Sequence, residues 1–376
     1  MGSVKDLIVL LEPTVEKAGI GRFTYSNRYS VFDWGTMPDE ITDKGAALCM
    51  MAAYFFESLG RQGIRTHYSG FAFPGSFMTH FVNDVNEPSN QMAVKLVRRQ
   101  SPVMHTGDDA RRITQEADRI VATVGSGDEM IAYDYTEFSK PENQRNMMIP
   151  LEVIYRNTLP KGSSVFRRLG EGSIKLDDLG LSEMPAKGDR LPKPFFDVST
   201  KYESSGDRYM KWTEAMKLTS ITPRNNLLLK DSMHTANDVI SEGFAKIGAN
   251  NDDGKLEFAY DETGKIEVVD ALGTLDECRA THQRGGVSIQ LSKEVARQHY
   301  EKTQPEWVRQ IREAKKTHPA NWRDHVTERP KSLPPELRDM IGYMYTSVAN
   351  AVLGRNIFDA PDFDEVAEYF TKRLAA

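Results

Sequence analysis

The pattern of apolar and polar residues along the chain predicts an α+β protein. Short apolar runs at 5–11, 92–99 and 148–156 predict strands, and 23–25 predicts another. Residues 44–60 give the clearest helix pattern, with Gly45 near its start and Gly60 at its end. Strands come early and mid-chain while helical patterns gather late. This order differs from the regular alternation of a doubly wound sheet.

Helical periodicity dominates the second half of the chain. Residues 107–122, 223–248, 292–316 and 335–374 each predict a helix, and a Pro-rich connection separates the last two. Residues 157–210 are rich in Gly, Pro, Ser and Lys, so we expect loops there. No internal repeat is visible in the sequence.

Residues 255–271, KLEFAYDETGKIEVVDA, predict a β-hairpin with charged residues on one face. Two strands, 255–260 and 265–270, would be joined by a four-residue loop that ends at Gly264. The expected cross-strand pairs are Tyr260 with Lys265, Glu257 with Val268, and Lys255 with Asp270.

Side chains alternate between the faces of a strand, so this pairing places Lys255, Glu257 and Asp270 together. The two acids become diagonal neighbours, which could share one or two Mg²⁺ ions while the lysine holds a phosphate. The alternative is a solvated sheet face with an exposed Lys255–Asp270 ion pair, which is common in proteins. The hairpin pattern by itself leaves both interpretations open.

Composition excludes several classes of protein. Hydrophobic residues make up 39% and charged residues 27%, which predicts a packed core, and the formal charge of −6 argues against a dedicated nucleic-acid binder. Cys49 and Cys278 show no metal-type spacing. The longest apolar run, 46–56, is too short for a bilayer span of roughly twenty residues. No secretory signal pattern is visible, so we expect a cytoplasmic protein without a membrane or nucleic-acid partner.

Four further segments occur in one order: SNRYSVFDWGTMPDEITDKG at 26–45, MIPLEVIYRNTLPKGS at 148–163, PKPFFDVSTKYESSGD at 192–207, and 253–279 around the hairpin. Together they resemble the SAICAR synthetase (phosphoribosylaminoimidazole-succinocarboxamide synthase) family. The matching family patterns are TDRISAFDxxxxxxIPxKG, IPLEVIVRxxxxGS, PEPIFTPSTKAExGxHD and DxKxEFG…DExxTPDSSR. Residues 2–6, GSVKD, are a weaker match to the family's GKVRD loop.

The resemblance implies a two-lobed α+β fold and an ATP-dependent carbon–nitrogen ligase of purine biosynthesis. ATP would phosphorylate the carboxylate of an aminoimidazole ribotide, and the amine of aspartate would displace phosphate to form an amide. ATP and Mg²⁺ are the expected cofactors and small-molecule substrates the expected partners, with a homo-oligomer left open. We expect an antiparallel lobe at 1–147, an ATP-grasp-like lobe at 148–304 and extra C-terminal helices at 305–376.

The resemblance also implies roles for individual residues. Glu257 and Asp270 would bind Mg²⁺–ATP, with Lys5 and Lys95 as further nucleotide contacts. The implied catalytic residues are Lys255, Asp276 and Arg279, and the implied substrate-binding residues are Asp33, Lys44, Arg156, Ser163, Lys201 and Asp207.

Ordinary alternatives exist for most of these residues when each is taken singly. Arg156 could be a surface arginine at a strand end, and Arg279 a salt-bridge partner in a loop. Asp33 could cap a turn. Lys201 and Asp207 could belong to a solvated loop.

The chain also departs from the family pattern. Gln100 to Met147, 48 residues, separate two strands between which the family has almost none, which predicts an insertion. Ser3 replaces the GKVRD lysine, for which Lys5 could compensate. Ala259, Ala271, Leu275, Glu277 and Cys278 replace other residues of the hairpin pattern.

The acids expected to bind metal are kept while the substrate-side loop is changed. This pattern suits a catalytically competent paralogue with a changed acceptor or amine better than an inactive protein. The resemblance as a whole makes SAICAR synthesis the leading hypothesis. A paralogue that acts on another ribotide-like carboxylate or amine is the second, and a nucleotide-binding protein without turnover is the third. A phosphotransferase is disfavoured because the HRD and DFG kinase motifs are absent.

Overall fold

The computed structural model of the protein describes residues 5–204, 206–318 and 321–375. Its strands are β1 Lys5–Leu11, β2 Gly19–Tyr25, β3 Tyr68–Ala72, β4 Thr79–His80, β5 Gln91–Leu96, β6 Val103–Thr106, β7 Val121–Val124, β8 Ile131–Asp134, β9 Met147–Thr158, β10 Arg190–Thr200, β11 Tyr209–Met210, β12 Ala249–Tyr260, β13 Ile266–Val269, β14 Cys278–Arg284 and β15 Val287–Gln290. Its α-helices are α1 Lys44–Arg61, α2 Gly107–Ile113, α3 Ser164–Gly170, α4 Trp212–Thr219, α5 Pro223–Ala245, α6 Glu294–Thr303, α7 Pro305–Thr317, α8 Pro335–Leu353 and α9 Phe363–Ala375.

Two antiparallel sheets form the frame of the molecule. The N-terminal sheet has the strand order β1-β2-β5-β3-β4. The second sheet has the order β11-β10-β9-β12-β14-β15, and β13 pairs with β12 outside that path. A bridge between Thr66 and Val268 joins the first sheet to the hairpin of the second. The hairpin therefore lies where the two sheets meet.

Helix α1 is apolar on almost every side, which is typical of a helix that is buried all round. It packs against the N-terminal sheet and also against α5 and α8. Met50, Met51, Phe55 and Phe56 are 1% exposed or less. The apolar run at 46–56 is thus the central helix of the core. Within the described residues, no helix combines the length and apolar character that a bilayer crossing requires.

Residues 100–146 leave the frame and return to it at one place. Arg98 N donates to Asn146 O at 2.8 Å, and Met148 N donates to Arg98 O at 2.9 Å. Between these points lie the small sheet β6-β8-β7 and helix α2, with a minor core of Ala110, Ile113 and Ala132. Residues 100–146 thus form a separate unit beside the frame, and the insertion and the domain boundaries stay predictions.

The bounds and types of several predicted helices and loops differ from the structure. Helix 107–122 ends at Ile113, because the following residues turn and enter β7. The expected loops at 157–210 contain α3 and the eleven-residue strand β10. The helical regions expected at 292–316 and 335–374 are confirmed, and each is divided into two helices. Pro305 begins α7 after a break at Gln304, and Gly354, with φ +70°, ends α8.

We expect Gly273→Ala to lower the free energy of unfolding by about 2–4 kcal/mol, from backbone strain plus overpacking. Gly273 has φ +67°, and an added Cβ would lie 2.2 Å from the Phe55 ring on α1. Urea denaturation measures the loss. Gly286→Ala is the matched control, because its φ is +77° but no described atom lies within 4 Å of the added Cβ. Equal losses in the two variants would contradict the packing argument.

Candidate active site

A cleft of about 500 Å³ lies between the two sheets. One part of its wall is apolar and comes mainly from the N-terminal lobe. The other part is charged and comes mainly from β12 and the segments around it. The apolar lining includes Leu7, Phe23, Leu96, Val97 and Met148, and the charged lining includes Lys5, Lys201, Lys255, Glu257 and Asp270.

Strand alternation explains the charged wall. Asp253, Lys255 and Glu257 of β12 point to the cleft side, whereas Leu256 and Phe258 are buried on the opposite side. Strands β9 and β14 add residues to this face of the sheet, because residues that are directly paired across two strands point to the same face. Glu152 and Arg156 of β9 pair with Glu257 and Asp253, and Arg279 of β14 pairs with Asp253.

The predicted hairpin register is wrong by one residue. Glu257 pairs with Val269 and Tyr260 pairs with Ile266, so the loop has five residues instead of four. In a regular strand this shift would turn Asp270 away from Glu257. The strand ends at Val269, however, and Asp270 takes a left-handed conformation with φ +73°. This turn returns Asp270 to the cleft, so the predicted convergence occurs by a route that the sequence pattern did not show.

Lysines neutralise the acids at this end of the cleft. Lys5 Nζ lies 2.5 Å from Asp270 Oδ1, and Lys201 Nζ donates to Glu257 Oε1. Lys255 Nζ lies 3.0 Å from Glu152 and 3.3 Å from Glu277. The expected Lys255–Asp270 pair is therefore replaced by other partners.

The two acids also influence each other. Burial raises the pKa of Glu257, and the nearby charge of Asp270 raises it further. Burial alone would also raise the pKa of Asp270, but Lys5, with smaller effects of Lys255 and Lys201, holds this pKa below its usual range. Glu257 is 4% exposed, which excludes the solvated-face interpretation.

Arginines and aspartates occupy the other end of the charged face. Arg279 forms a two-point contact with Asp253, and Arg156 Nη1 lies 3.4 Å from the same carboxylate. Arg156 Nη2 also reaches Asp197 Oδ2 at 3.3 Å, a carboxylate shared with Arg168. Arg156 is 2% exposed, so the surface-arginine alternative is wrong. Arg279 does form a salt bridge, as the alternative interpretation expected, but its partner is Asp253 on the charged sheet face.

Other predicted residues hold structural positions near the cleft. Ser163 caps α3 and accepts from Val165 N at 3.4 Å. Lys95 on β5 forms a 2.7 Å ion pair with the buried Glu267. Asp207 lies in a separate cavity of about 800 Å³ beside α3 and β10. Ser3 lies outside the described residues, whereas Lys5 lines the cleft, and its compensating role stays a prediction.

Lys44 and Asp276 form a buried ion pair between α1 and the loop before β14. Lys44 Nζ lies 2.6 Å from Asp276 Oδ2, and the Tyr345 hydroxyl donates to Asp276 Oδ1 at 2.8 Å. The Lys44 side chain is 0% exposed. Although burial opposes ionisation of Asp276, Lys44 lowers its pKa. The pair therefore ties α1 to the loop before β14, and of its two members only Asp276 lines the cleft.

We expect Asp276→Asn to lower the free energy of unfolding by about 3–5 kcal/mol, because it leaves a buried lysine without its counter-charge. Adding Lys44→Met should restore much of the loss, since the uncompensated charge is then gone. Chemical denaturation of both variants measures this. Glu313→Gln breaks an exposed contact with Arg309 and should leave the midpoint unchanged. A full loss that persists in the double variant would contradict the charge argument.

The loop that carries Asp33 is held by residues of the C-terminal helices. Trp34 packs between Trp307 and Trp322, with ring centroids 5.6 and 6.0 Å away. Arg323 donates to the carbonyls of Asp33 and Trp34. Asp33 itself has φ +59°, a conformation that needs such support in a residue other than glycine. Asp33 therefore lies in a loop that the C-terminal helices hold in place, and capping a turn does not fully describe its position.

A second polar cavity of about 450 Å³ adjoins this loop. It shares Asp276 and Glu277 with the cleft, and its cations are Lys293, Arg297 and Arg323. Sequence reasoning missed these three cations, and it also missed Glu152. Glu152 lies four residues before Arg156 on the same strand, so alternation along β9 could have identified it.

Comparison with known proteins identifies the family to which the chain is related. The family model described as SAICAR synthetase matches residues 14–314. A protein of Archaeoglobus fulgidus provisionally named phosphoribosylaminoimidazole-succinocarboxamide synthase is 41% identical over 374 residues, which cover 100% of both chains. The phosphoribosylaminoimidazole-succinocarboxamide synthase of Thermoplasma acidophilum is 28% identical, over 75% of this chain and 78% of its own.

Solved structures share the fold at lower identity. SAICAR synthase from Saccharomyces cerevisiae, in complex with SAICAR, has a TM-score of 0.55 and 19% identity, over 94% of this chain and 93% of its own. SAICAR synthetase from Pyrococcus horikoshii has a TM-score of 0.54 and 18% identity, over 96% of this chain and 100% of its own. At these identities the likeness concerns the two-lobed fold.

Proposed function

Because the chain belongs to the SAICAR synthetase family, we propose that its cleft joins a carboxylated aminoimidazole ribotide to aspartate in an ATP-dependent reaction. The product is the succinocarboxamide of that ribotide, SAICAR. The reaction class is then an ATP-dependent carbon–nitrogen ligase. Each role given below to a residue of the cleft is part of this proposal.

The observation that carries the proposal is the order of charges along one sheet face. The acids Glu257 and Asp270 lie at one end with their lysines, and Arg156 and Arg279 lie at the other. Four residue steps of extended strand lead from Asp253 to Glu257, which corresponds to about 13 Å. A substrate with a phosphate at one end and a reacting carboxylate at the other matches this order of charges.

The acids fit a Mg²⁺ ion that binds together with a nucleotide. Within the described residues there is no group of three or more His, Cys, Asp or Glu that could hold a metal alone. Two carboxylates with hard oxygen donors, completed by phosphate oxygens and water, are a usual Mg²⁺ environment. Glu257 and Asp270 would hold the ion, which when bound neutralises charge on the transferring phosphate.

The lysines supply the remaining positive charge. Lys5 and Lys201, which lie beside the two acids, would also bind phosphate oxygens when the acids hold the ion. Lys255 sits among Glu152, Glu257 and Glu277, and although burial disfavours its charge, Glu277 and then Glu152 raise its pKa. It therefore stays protonated and can hold the reacting carboxylate next to the γ-phosphate.

The bonds change in two steps. The substrate carboxylate oxygen attacks the γ-phosphorus, the bond to ADP breaks, and an acyl phosphate forms. The amine nitrogen of aspartate then attacks the acyl carbon, the carbon–oxygen bond to phosphate breaks, and phosphate leaves with the bonding electrons. The proton lost by the nitrogen goes to the departing phosphate. The cations of the adjacent polar cavity, Lys293, Arg297 and Arg323, suit the two carboxylates of the incoming amine.

The adenine has a separate place to bind. Leu7, Phe23, Leu96, Val97 and Met148 give the cleft an apolar part beside the lysines and acids. A planar base gains most from such a surface, while the phosphates reach the charged wall. Binding of a base and its phosphates would therefore account for the presence of both apolar and charged walls in the cleft.

The test is an ADP-release assay with Mg²⁺, ATP, the ribotide carboxylate and aspartate, in which product mass is measured. An amide product that needs all four components supports SAICAR synthesis. Reactions that each omit one component are the controls. ATP turnover only with another carboxylate or amine would favour the paralogue hypothesis. Mg²⁺–ATP binding without any turnover would favour a non-catalytic nucleotide-binding protein.

A further inference from the structure

The insertion contacts a functional loop in addition to the frame of the fold. Tyr133 and Tyr135 lie two residues apart at the end of β8. The Tyr135 hydroxyl donates to Glu203 Oε1 at 2.8 Å, and the Tyr133 hydroxyl lies 2.9 Å from Ser204 Oγ. Both contacts reach the segment that directly follows Lys201.

The contacted segment has an unusual backbone. Tyr202 has φ +74°, which is rare for a bulky residue and persists only when surrounding contacts enforce it. The centre of its ring lies 4.3 Å from the guanidinium of Arg99, the residue directly before the insertion. The left-handed turn therefore lies between Lys201 and an anchored residue, Glu203.

The anchor is a buried carboxylate. The Glu203 side chain is 0% exposed, and a buried carboxylate is costly unless it is paired. Its Oε1 accepts from Tyr135 at 2.8 Å and from Arg208 at the longer distance of 3.4 Å. Among the described atoms, Oε2 has no hydrogen-bond partner. The hydrogen bond from the Tyr135 hydroxyl is thus the shorter of the two contacts to the Glu203 carboxylate.

Lys201 connects this turn to the site. Its Nζ donates to Glu257 and lies 3.4 Å from Glu152. A change in the turn would move the lysine relative to the carboxylate that faces the nucleotide phosphates. The chain of contacts runs from the insertion through Glu203 and Tyr202 to Lys201 and Glu257.

We propose that Tyr135 is a positioning residue whose hydrogen bond to Glu203 fixes the turn at Tyr202 and so holds Lys201 against Glu257. The proposal rests on the proposed function, because it gives Lys201 a part in binding Mg²⁺–ATP. It assigns the insertion a role in catalysis without placing any of its residues in contact with substrate.

The experiment is a double-mutant cycle with Tyr135→Phe and Lys201→Met, in which kcat/KM for Mg²⁺–ATP is measured. Tyr135→Phe removes only the hydroxyl, and we expect it to lower kcat/KM about tenfold, as for a hydrogen bond to a charged group. In the Lys201→Met background the same change should alter kcat/KM by no more than about twofold, because the two residues act as one unit. A merely structural tyrosine would give equal losses in both backgrounds.

Tyr260→Phe is the matched control. Tyr260 is also buried, and its hydroxyl has no hydrogen-bond partner among the described atoms. We expect no loss in that variant. Equal losses in the two backgrounds, or no loss from Tyr135→Phe, would overturn the positioning role.

Failure of the proposed function is distinguished by the wild-type protein. If the wild type forms no amide, the same cycle is measured as the dissociation constant of Mg²⁺–ATP by calorimetry. Non-additive weakening of nucleotide binding would still support the positioning role, and additive or absent weakening would overturn it. Amide formation by the wild type together with an additive cycle would leave the function standing and reject the role of Tyr135.

Discussion

Asp270→Asn is expected to abolish ATP turnover, with a loss of at least about a hundredfold, while the fold remains intact. The substitution removes one of the two charged oxygen donors proposed for Mg²⁺, which would leave the phosphates less neutralised. Asparagine is the matched choice because it tolerates the left-handed conformation that Asp270 adopts at φ +73°. The measurement is ADP release at saturating substrates, with circular dichroism and a denaturation curve to confirm folding.

A control separates the loss of the metal ligand from a general effect of the substitution. Asp231→Asn makes the same chemical change on an exposed residue of α5 and should retain full turnover. Titration with Mg²⁺ should show that Asp270→Asn needs far more metal, if any activity persists. Wild-type turnover in Asp270→Asn at ordinary Mg²⁺ would show that the hairpin is not the metal site.

Arg279→Gln should raise the KM for the ribotide by about fifty- to a hundredfold, the loss typical of a charged contact to phosphate. The KM for Mg²⁺–ATP should stay within about twofold, because Arg279 lies at the opposite end of the charged face. Arg279→Lys keeps the charge but loses the planar two-point contact, so we expect an intermediate effect. Steady-state kinetics in which each substrate is varied separately measures the two KM values.

Arg284→Gln is the control on the same strand, β14. Arg284 forms exposed contacts with Asp364 and Glu368, so its loss should leave both KM values unchanged. An equal rise in both KM values for Arg279→Gln would point to general disruption of the cleft. An unchanged ribotide KM would remove Arg279 from the phosphate site.

Much of the site could be predicted from the sequence, because strand alternation is a strong constraint. Lys255 and Glu257 face the cleft, and Arg156 lies on the same face of the sheet, since their strands present polar residues to one side and apolar residues to the other. The central helix α1 was equally clear, because its apolar run fits no exposed position. The family patterns then supplied the order in which these segments meet.

The errors come from features that the pattern does not encode. The hairpin register depends on the conformation of one loop, and a five-residue loop is as compatible with the sequence as a four-residue loop. The left-handed turn at Asp270 is set by the surrounding packing, and no local signal marks it. Strand β10 was missed because its Pro and Lys residues resemble a loop, whereas pairing with β9 determines its conformation.

The bracing of the Asp33 loop also gives the protein a built-in optical reporter. Three of its four tryptophans, Trp34, Trp307 and Trp322, have neighbouring rings at this loop. A ligand that shifts the loop changes the surroundings of three indole rings at once. Intrinsic fluorescence can therefore follow substrate binding in the unlabelled protein, and stopped-flow mixing can time the loop's response against product formation.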